Sequence, residues 1–162
     1  MNNKYDVIVI GGGHAGCEAA HAAHRKKLKT CLISISENSI GQMSCNPAIG
    51  GLGKTHLVKE IDAAGGIMAE ATDASGIQYR TLNTRKGQTV RSLRVQCDRE
   101  KYKEAVQKIM KGTDIEVIEA EVEDIEIKKG KAEAVLLNSG KRINGEAIIC
   151  LLYTSPSPRD AT

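Results

Sequence analysis

The 162-residue sequence contains no phenylalanine and no tryptophan, which leaves four tyrosines as its large aromatic side chains. Its core must therefore be built from aliphatic residues, because 41% of the residues are hydrophobic but only 2% are aromatic. No apolar run approaches the roughly 20 residues that a transmembrane helix needs. The net charge of +3 is too small to indicate nucleic-acid binding by itself. These absences favour a soluble globular domain.

The five cysteines form no C-x-x-C pair and no cluster with metal-ligand spacing; they stand at positions 17, 31, 45, 97 and 150. Disulfide frameworks of secreted domains normally use an even number of cysteines. The start Met-Asn-Asn-Lys runs directly into an apolar segment, which leaves no room for a signal or transit peptide. We therefore expect reduced thiols in a cytoplasmic protein without a metal site.

A glycine-rich turn follows the first apolar segment, residues 5–10, and precedes an alanine-rich segment that favours a helix. The spacing Gly11-x-Gly13-x-x-Gly16 is the fingerprint of dinucleotide-binding βαβ units. In it Gly11 makes the tight turn, Gly13 lets the backbone approach a pyrophosphate, and Gly16 lets the helix pack on the strand. Because strand, glycines and helix occur in the required order, the segment predicts a nucleotide site at a helix N-terminus.

Residues 29–35 are rich in β-forming side chains and predict a second strand, parallel to the first and joined to it through a helix at 16–27. In the dinucleotide fingerprint an acidic residue near the end of this strand binds the ribose hydroxyls. Glu37 is the first acidic residue available, slightly later than the pattern requires. Two interpretations stay open: Glu37 is a ribose ligand, or it is an ordinary solvated carboxylate.

Residues 41–53 are rich in glycine and apolar side chains and show no helical or strand period, as in loops that pack on a ligand. Residues 54–64 then predict a helix with an apolar face formed by Leu57, Ile61 and Ala64.

A relaxed P-loop pattern, Ala48-x-x-x-x-Gly53-Lys54-Thr55, overlaps this region. A true P-loop follows an apolar strand and begins with glycine, and this stretch does neither. We therefore do not assign it a phosphate site.

Six basic residues and a single acidic residue, Asp98, fall within residues 76–99. The basic residues are Arg80, Arg85, Lys86, Arg91, Arg94 and Arg99. This excess would meet the phosphates of a cofactor or of RNA, or it would form a solvated face. Aromatic residues are not interleaved with the basic ones, so both interpretations stay open.

The second half of the sequence predicts a helix at 98–111, a strand at 115–118 and a β-meander at 122–150. Turn signals interrupt the meander at 129–130, 139–140 and 144–145. We expect a three-layer α/β domain in which strand 5–10 is central and the meander packs on one side.

Four segments closely resemble a known family: residues 11–20, residues 41–51, residues 56–60 and residues 96–99. The family is that of the tRNA uridine 5-carboxymethylaminomethyl modification enzymes, also called the glucose-inhibited division protein A family. The resemblance covers its amino-terminal part, over about residues 4–150 of this sequence. The block Ser-Cys-Asn-Pro-Ala-Ile-Gly-Gly is highly specific to that family and to its folate-dependent tRNA methyltransferase relatives.

The resemblance implies a Rossmann-like FAD-binding domain of the glutathione-reductase type. Members install a (carboxymethyl)aminomethyl group at C5 of the wobble uridine, with methylene-tetrahydrofolate as one-carbon donor and NADH as reductant. The implied partners are tRNA, a GTPase of the MnmE type and a second copy in a homodimer. We expect the FAD-binding domain to occupy residues 1–150, incomplete and with an irregular insertion at about 41–99. Residues 151–162, rich in proline and serine, are interpreted as a non-native tail.

By position, the resemblance implies FAD contacts from the glycine loop and from one later strand residue: Gly11, Gly12, Gly13, His14, Ala15, Gly16 and Val122. It also implies a catalytic role for Cys45. A thiolate can add to C6 of a uracil and make C5 nucleophilic, and a nearby helix N-terminus lowers a thiol pKa. The alternative is that Cys45 packs beneath the flavin.

The sequence departs from the family at Gln88 and Thr89, where proline and a small residue are expected, and family members are several times longer. We therefore expect the 162 residues alone to be inactive. Two other classes stay open, a generic FAD/NAD-dependent oxidoreductase and a non-catalytic nucleotide-binding regulator. The missing C-x-x-C pair argues against a disulfide reductase.

Overall fold

The computed structural model describes residues 4–43 and 46–151. These residues form an α/β domain with a six-stranded sheet and a separate three-stranded sheet. The strands are β1 (Lys4–Ile10), β2 (Thr30–Ser34), β3 (Ala48–Gly50), β4 (Gly76–Leu82), β5 (Ser92–Cys97), β6 (Glu116–Glu119), β7 (Val122–Lys128), β8 (Lys131–Leu137) and β9 (Arg142–Cys150). The helices are α1 (His14–Arg25), α2 (Lys54–Ala63), α3 (Met68–Ser75) and α4 (Arg99–Lys111).

The large sheet has the strand order β6-β2-β1-β9-β8-β7. Strand β1 is central and pairs in parallel with β2 on one side and with β9 on the other. The first two strands of the sequence are therefore parallel neighbours, as the fingerprint predicted. Strand β6 adds to β2 in parallel, whereas β7, β8 and β9 pair antiparallel as a meander.

Both faces of the parallel strands are buried, by different partners. Val9 and Leu32 face a cluster that contains residues of α1 and α4, including Tyr102. Ile8 and Ile33 face a second cluster built with meander residues such as Val135. The helices therefore cover one face of the parallel strands, while residues of the meander, which continues the same sheet, pack with the other face. Both clusters consist mainly of aliphatic side chains, so the core is filled without phenylalanine or tryptophan.

The turn predicted at residues 144–145 is wrong, because both residues lie inside β9. Strand β9 continues from its antiparallel pairing with β8 into its parallel pairing with β1, so it joins the meander to the parallel strands. A Cβ at Gly145 would stand 2.6 Å from Cδ1 of Ile8. The glycine at this position therefore permits close approach to the core and does not mark a turn.

The helix boundaries shift by small amounts, with local causes. Helix α1 begins at His14, directly after the glycine loop, and ends before Lys27, which adopts φ +60°. Helix α4 begins after Asp98, whose carboxylate accepts hydrogen bonds from the amides of Glu100 and Lys101 and caps the helix.

The helix predicted at residues 54–64 forms as α2, but its apolar face is not buried. Leu57 is 60% exposed and Ala64 is also exposed, while the buried residue of α2 is Thr55. The Thr55 hydroxyl donates to the carbonyl oxygens of Leu93 (2.6 Å) and Gly51 (3.0 Å). Helix α2 is therefore held to the small sheet by polar contacts from its first turn.

The segment predicted as an irregular insertion at about 41–99 is largely regular. Strands β3, β5 and β4 form the three-stranded antiparallel sheet, in that order, and α2 and α3 pack beside it. The helix α3 and the β4–β5 hairpin were not predicted from the sequence.

Candidate functional site

The glycines of the loop after β1 differ in their backbone conformation and in their neighbours. Gly11 adopts φ +111°, which disfavours residues with a side chain. A Cβ at Gly16 would overlap the carbonyl oxygen of Gly11, so this position lets α1 pack against the turn. A Cβ at Gly12 would stand 2.8 Å from the Ser34 hydroxyl. Gly13 differs, because it is exposed and a Cβ there would have no neighbour within 4 Å in the described part of the chain.

The N-terminus of α1 is left open to an anion. Gly13 occupies the N-cap position and no side chain caps the helix, and the first turn contains no acidic residue. The first helical hydrogen bond runs from the Cys17 amide to the Gly13 carbonyl, at 3.0 Å. The backbone amides before Cys17 therefore have no partner within the helix, and they present the partial positive charge of the helix dipole to the space above Gly13.

A cleft of about 580 Å³ lies above this N-terminus. It is lined by the glycine loop, by the ends of β1 and β2 and by the start of β7. The structure thus brings together seven residues expected at the FAD site: Gly11, Gly12, Gly13, His14, Ala15, Gly16 and Val122. This is the edge of the parallel strands at which doubly wound folds bind nucleotides.

Glu37 does not line this cleft. It belongs to a short 3₁₀ turn, Glu37–Ser39, and its backbone amide donates to the Glu119 carboxylate at 2.8 Å. Its side chain is exposed beside a neighbouring cleft that Gln107 also lines.

The cleft contains polar side chains that sequence reasoning missed, namely Ser34, Ser39 and Glu121. The Ser34 and Ser39 hydroxyl oxygens lie 3.2 Å apart at the end of β2. The serines that follow β2 were visible in the sequence, whereas Glu121 enters only because β6 pairs with β2.

His14 lines both this cleft and a second one of about 640 Å³. Its imidazole lies against the Tyr102 ring, with the centroids 5.3 Å apart, and its Nε2 is buried without a hydrogen-bond partner among the residues that the structure describes. Desolvation by burial lowers the pKa of His14 below its usual value of 6.5. The imidazole is therefore neutral at neutral pH.

The second cleft lies between α2 and the small sheet, and Arg94 and Leu82 contribute to its wall. Cys45 lies outside the described residues. Met43 and Asn46, which flank the undescribed pair, both line the second cleft. His14 is the lining residue that the two clefts share.

The Thr55 hydroxyl is buried, lies within hydrogen-bond distance of two backbone carbonyls and accepts a hydrogen bond from the Gly51 amide at 2.9 Å, so it faces the backbone and not an open phosphate site. The relaxed P-loop pattern therefore does not form a P-loop site, as the sequence analysis concluded.

Three of the other cysteines, Cys17, Cys31 and Cys97, are buried free thiols. Burial raises the pKa of Cys17 to about 11 and that of Cys31 to about 12, and it also raises the pKa of Cys97. These thiols are protonated at neutral pH and act as packing residues.

Among residues 4–43 and 46–151, no group of three or more His, Cys, Asp or Glu side chains is placed to hold a metal ion. The helices of this described part are too short and too polar to cross a membrane.

Comparison with known proteins gives concordant matches. A family model described as "Glucose inhibited division protein A" matches residues 6–152. The tRNA uridine 5-carboxymethylaminomethyl modification enzyme MnmG of Zymomonas mobilis is 49% identical over 150 residues, which are 92% of this chain and 24% of that protein.

Solved structures show the same similarity. The structure of Aquifex aeolicus GidA matches with a TM-score of 0.88 and 45% identity, covering 91% of this chain and 25% of that one. PqsL, a probable FAD-dependent monooxygenase from Pseudomonas aeruginosa, matches with a TM-score of 0.62 and 17% identity, covering 90% of this chain and 42% of that one. The likeness to PqsL is one of fold alone.

The fold and the glycine-loop cleft define a Rossmann-like FAD-binding domain. Within that class, the chain belongs to the glucose inhibited division protein A family. It spans about a quarter of the length of the relatives that it matches.

Proposed function

We propose that this chain is the FAD-binding part of an enzyme that modifies the wobble uridine of tRNA. The observation that carries the proposal is the 49% identity, over 92% of the chain, to a tRNA uridine modification enzyme. The glycine-loop cleft supports it, because the described residues of this cleft suit a dinucleotide.

The residues of the cleft fit FAD in three respects. The space above Gly13 is open, so a pyrophosphate can contact the backbone there. The uncapped amides of α1 and its dipole favour the phosphate charge. Val122 begins β7 at the rim of the cleft, where its backbone would bind the adenine. For the ribose we propose Ser39 and Glu121, which line the cleft, and not Glu37, which lies beside the neighbouring cleft.

Bound FAD would supply redox chemistry next to the second cleft. His14, shared by the two clefts, would present a neutral imidazole to a bound group. We propose that Cys45 is the nucleophile that adds to C6 of the uracil. Its neighbours Met43 and Asn46 support this assignment, because they line the cleft that adjoins the FAD site.

We further propose that the complete protein adds a (carboxymethyl)aminomethyl group at C5, using methylene-tetrahydrofolate and NADH. In this proposal it works in the cytoplasm as a homodimer with a GTPase of the MnmE type. Because the chain spans about a quarter of its relatives, we expect activity from the complete protein and not from these residues alone.

The test is a tRNA modification assay on the complete protein, with the GTPase, methylene-tetrahydrofolate and NADH supplied. Mass spectrometry of the nucleosides should show conversion of wobble uridine, and omission of the folate should abolish it. The matched control is Gly13→Val, which should lose both flavin and conversion. A flavin-loaded protein that leaves every tRNA unmodified would overturn the proposal in favour of a different oxidoreductase or a regulator.

A further inference from the structure

Arg80 and Arg94 lie directly opposite each other in the β4–β5 hairpin. Side chains of directly opposed residues project to the same face of an antiparallel pair, with Cβ atoms about 4.5–5.5 Å apart, and like charges there destabilise the sheet. An anion bound between the two guanidinium groups removes this repulsion. We propose that this arginine pair is an RNA-contact site that binds phosphate groups of the tRNA backbone, an inference that rests on the proposed function.

The hairpin has no internal compensation for its positive charge. Residues 74–97 contain no aspartate or glutamate. The ion pairs found in the described part of the chain involve other cations: Lys4, Lys103, Lys128, Lys131 and Arg142. Arg94 donates to the amide oxygen of Asn46 at 3.2 Å, and Arg91 donates to the Thr84 carbonyl at 3.2 Å. Because these acceptors are neutral, the hairpin keeps its charge for an external anion.

The face that carries the pair forms a wall of the second cleft. Gly50, Leu82 and Arg94 share that face by strand register, and all three line the cleft. Lys54, at the start of α2, lines the same cleft and adds a third cation. Because His14 joins this cleft to the glycine-loop cleft, RNA held by the arginine pair lies next to the proposed FAD site.

The cations continue beyond the cleft to the tip of the hairpin, where Arg85 and Lys86 are exposed. A seven-residue strand such as β4 extends about 23 Å at 3.3 Å per residue. Such an extended cationic surface suits a polyanion better than a single small anion. Tyr79 alternates to the opposite face, so the arginine face has no aromatic platform for bases. The site therefore contacts phosphates and does not select a base.

The experiment measures binding of the complete protein to a fluorescent anticodon stem-loop RNA at several salt concentrations. In Arg80→Gln/Arg94→Gln, affinity should fall about tenfold or more, and the slope of log K against log salt should decrease by about 1.4 to 1.8, or 0.7 to 0.9 for each lost phosphate contact. The matched control Lys128→Gln/Lys131→Gln removes the same charge from exposed meander residues and should leave both values unchanged. Flavin absorbance and the unfolding midpoint verify that each variant is folded.

If the double variant does not fold, Arg85→Gln/Lys86→Gln tests the same surface, because these exposed tip residues are not part of the sheet. It should also lower the affinity and the salt slope. Wild-type affinity in a folded arginine variant would overturn this inference and leave the proposed function intact. A wild-type protein that binds no RNA would overturn both the inference and the proposed function. Arginine-dependent binding to anionic lipid vesicles, without RNA binding, would show that the surface contacts a membrane instead.

Discussion

The carboxylate of Glu18 accepts a hydrogen bond of 2.7 Å from the backbone amide of Met68, so a side chain of α1 caps the start of α3. The amide of Ile67 donates to the same carboxylate at 3.1 Å. Helix α1 begins at the glycine loop, whereas α3 belongs to the segment that forms the second cleft. The bond therefore fixes the two clefts relative to each other.

We expect Glu18→Ala to destabilise the domain by about 1 to 2 kcal/mol, because two amides at the start of α3 lose their partly buried acceptor. Urea unfolding followed by circular dichroism measures the change. Glu104→Ala is the matched control, since it removes an exposed carboxylate of α4. Equal losses in the two variants would show that the cap contributes nothing.

Comparison of Gly13→Val with Gly16→Ala should distinguish an effect on cofactor binding from an effect on folding. A side chain at Gly13 enters open space, so Gly13→Val should change the stability of the cofactor-free protein by no more than about 1 kcal/mol while abolishing flavin binding. A side chain at Gly16 overlaps the Gly11 carbonyl, so Gly16→Ala should lower both stability and flavin content. Flavin absorbance and thermal unfolding measure the two effects. Full flavin content in Gly13→Val would argue against the pyrophosphate position.

Cys45→Ser in the complete protein should abolish or severely lower tRNA modification and leave the bound flavin largely intact. The hydroxyl is a far weaker nucleophile than the thiolate, whereas the glycine loop that binds the cofactor is unchanged. The assay follows wobble-uridine conversion together with flavin absorbance. Cys97→Ser is the control, because Cys97 is a buried packing residue. Normal turnover by Cys45→Ser would indicate that Cys45 has a packing role and is not the nucleophile.

The buried thiols should make the domain less stable at alkaline pH. Cys31 has a folded pKa of about 12 against an ordinary value of 9.0, so between these values the unfolded state releases a proton that the folded state retains. The stability that the buried, protonated Cys31 thiol contributes is fully present below pH 9. Above pH 9 this contribution falls by at most about 1.4 kcal/mol per pH unit.

Urea unfolding at pH 8 and at pH 10 measures this loss. Cys31→Ser should reduce the difference between the two pH values, whereas Cys150→Ser, which replaces an exposed thiol, should not. An identical pH dependence in wild type and Cys31→Ser would contradict the assignment.

Local sequence signals predicted the part of the fold that local physics determines. The glycine spacing correctly placed β1, the turn and α1, because Gly11 and Gly16 meet steric requirements that arise within a few residues. The periodic apolar residues of α4 were likewise sufficient to predict that helix. The six residues from Gly11 to Gly16, expected to contact FAD by the family resemblance, all line one cleft.

Features that depend on long-range pairing were predicted less well. Asn144-Gly145 has the composition of a turn, but its pairing with β1 overrides that preference. The apolar period of α2 suggested burial of Leu57, yet the contact that holds the helix is the Thr55 hydroxyl with the Leu93 carbonyl. Glu121 reaches the cleft only through the pairing of β6 with β2, which no local pattern encodes.

The central position of β1 has a consequence for how the chain folds. Strand β1 pairs with β2 close by in sequence, but its other neighbour, β9, comes from residues 142–150. During synthesis, one side of the first strand must therefore wait for almost the whole domain to leave the ribosome. Contacts of such high sequence separation slow folding, because the entropy of closing the loop is lost before the contact forms. The edge of β1 that later joins β9 is thus an unpaired strand edge while these residues are being synthesised.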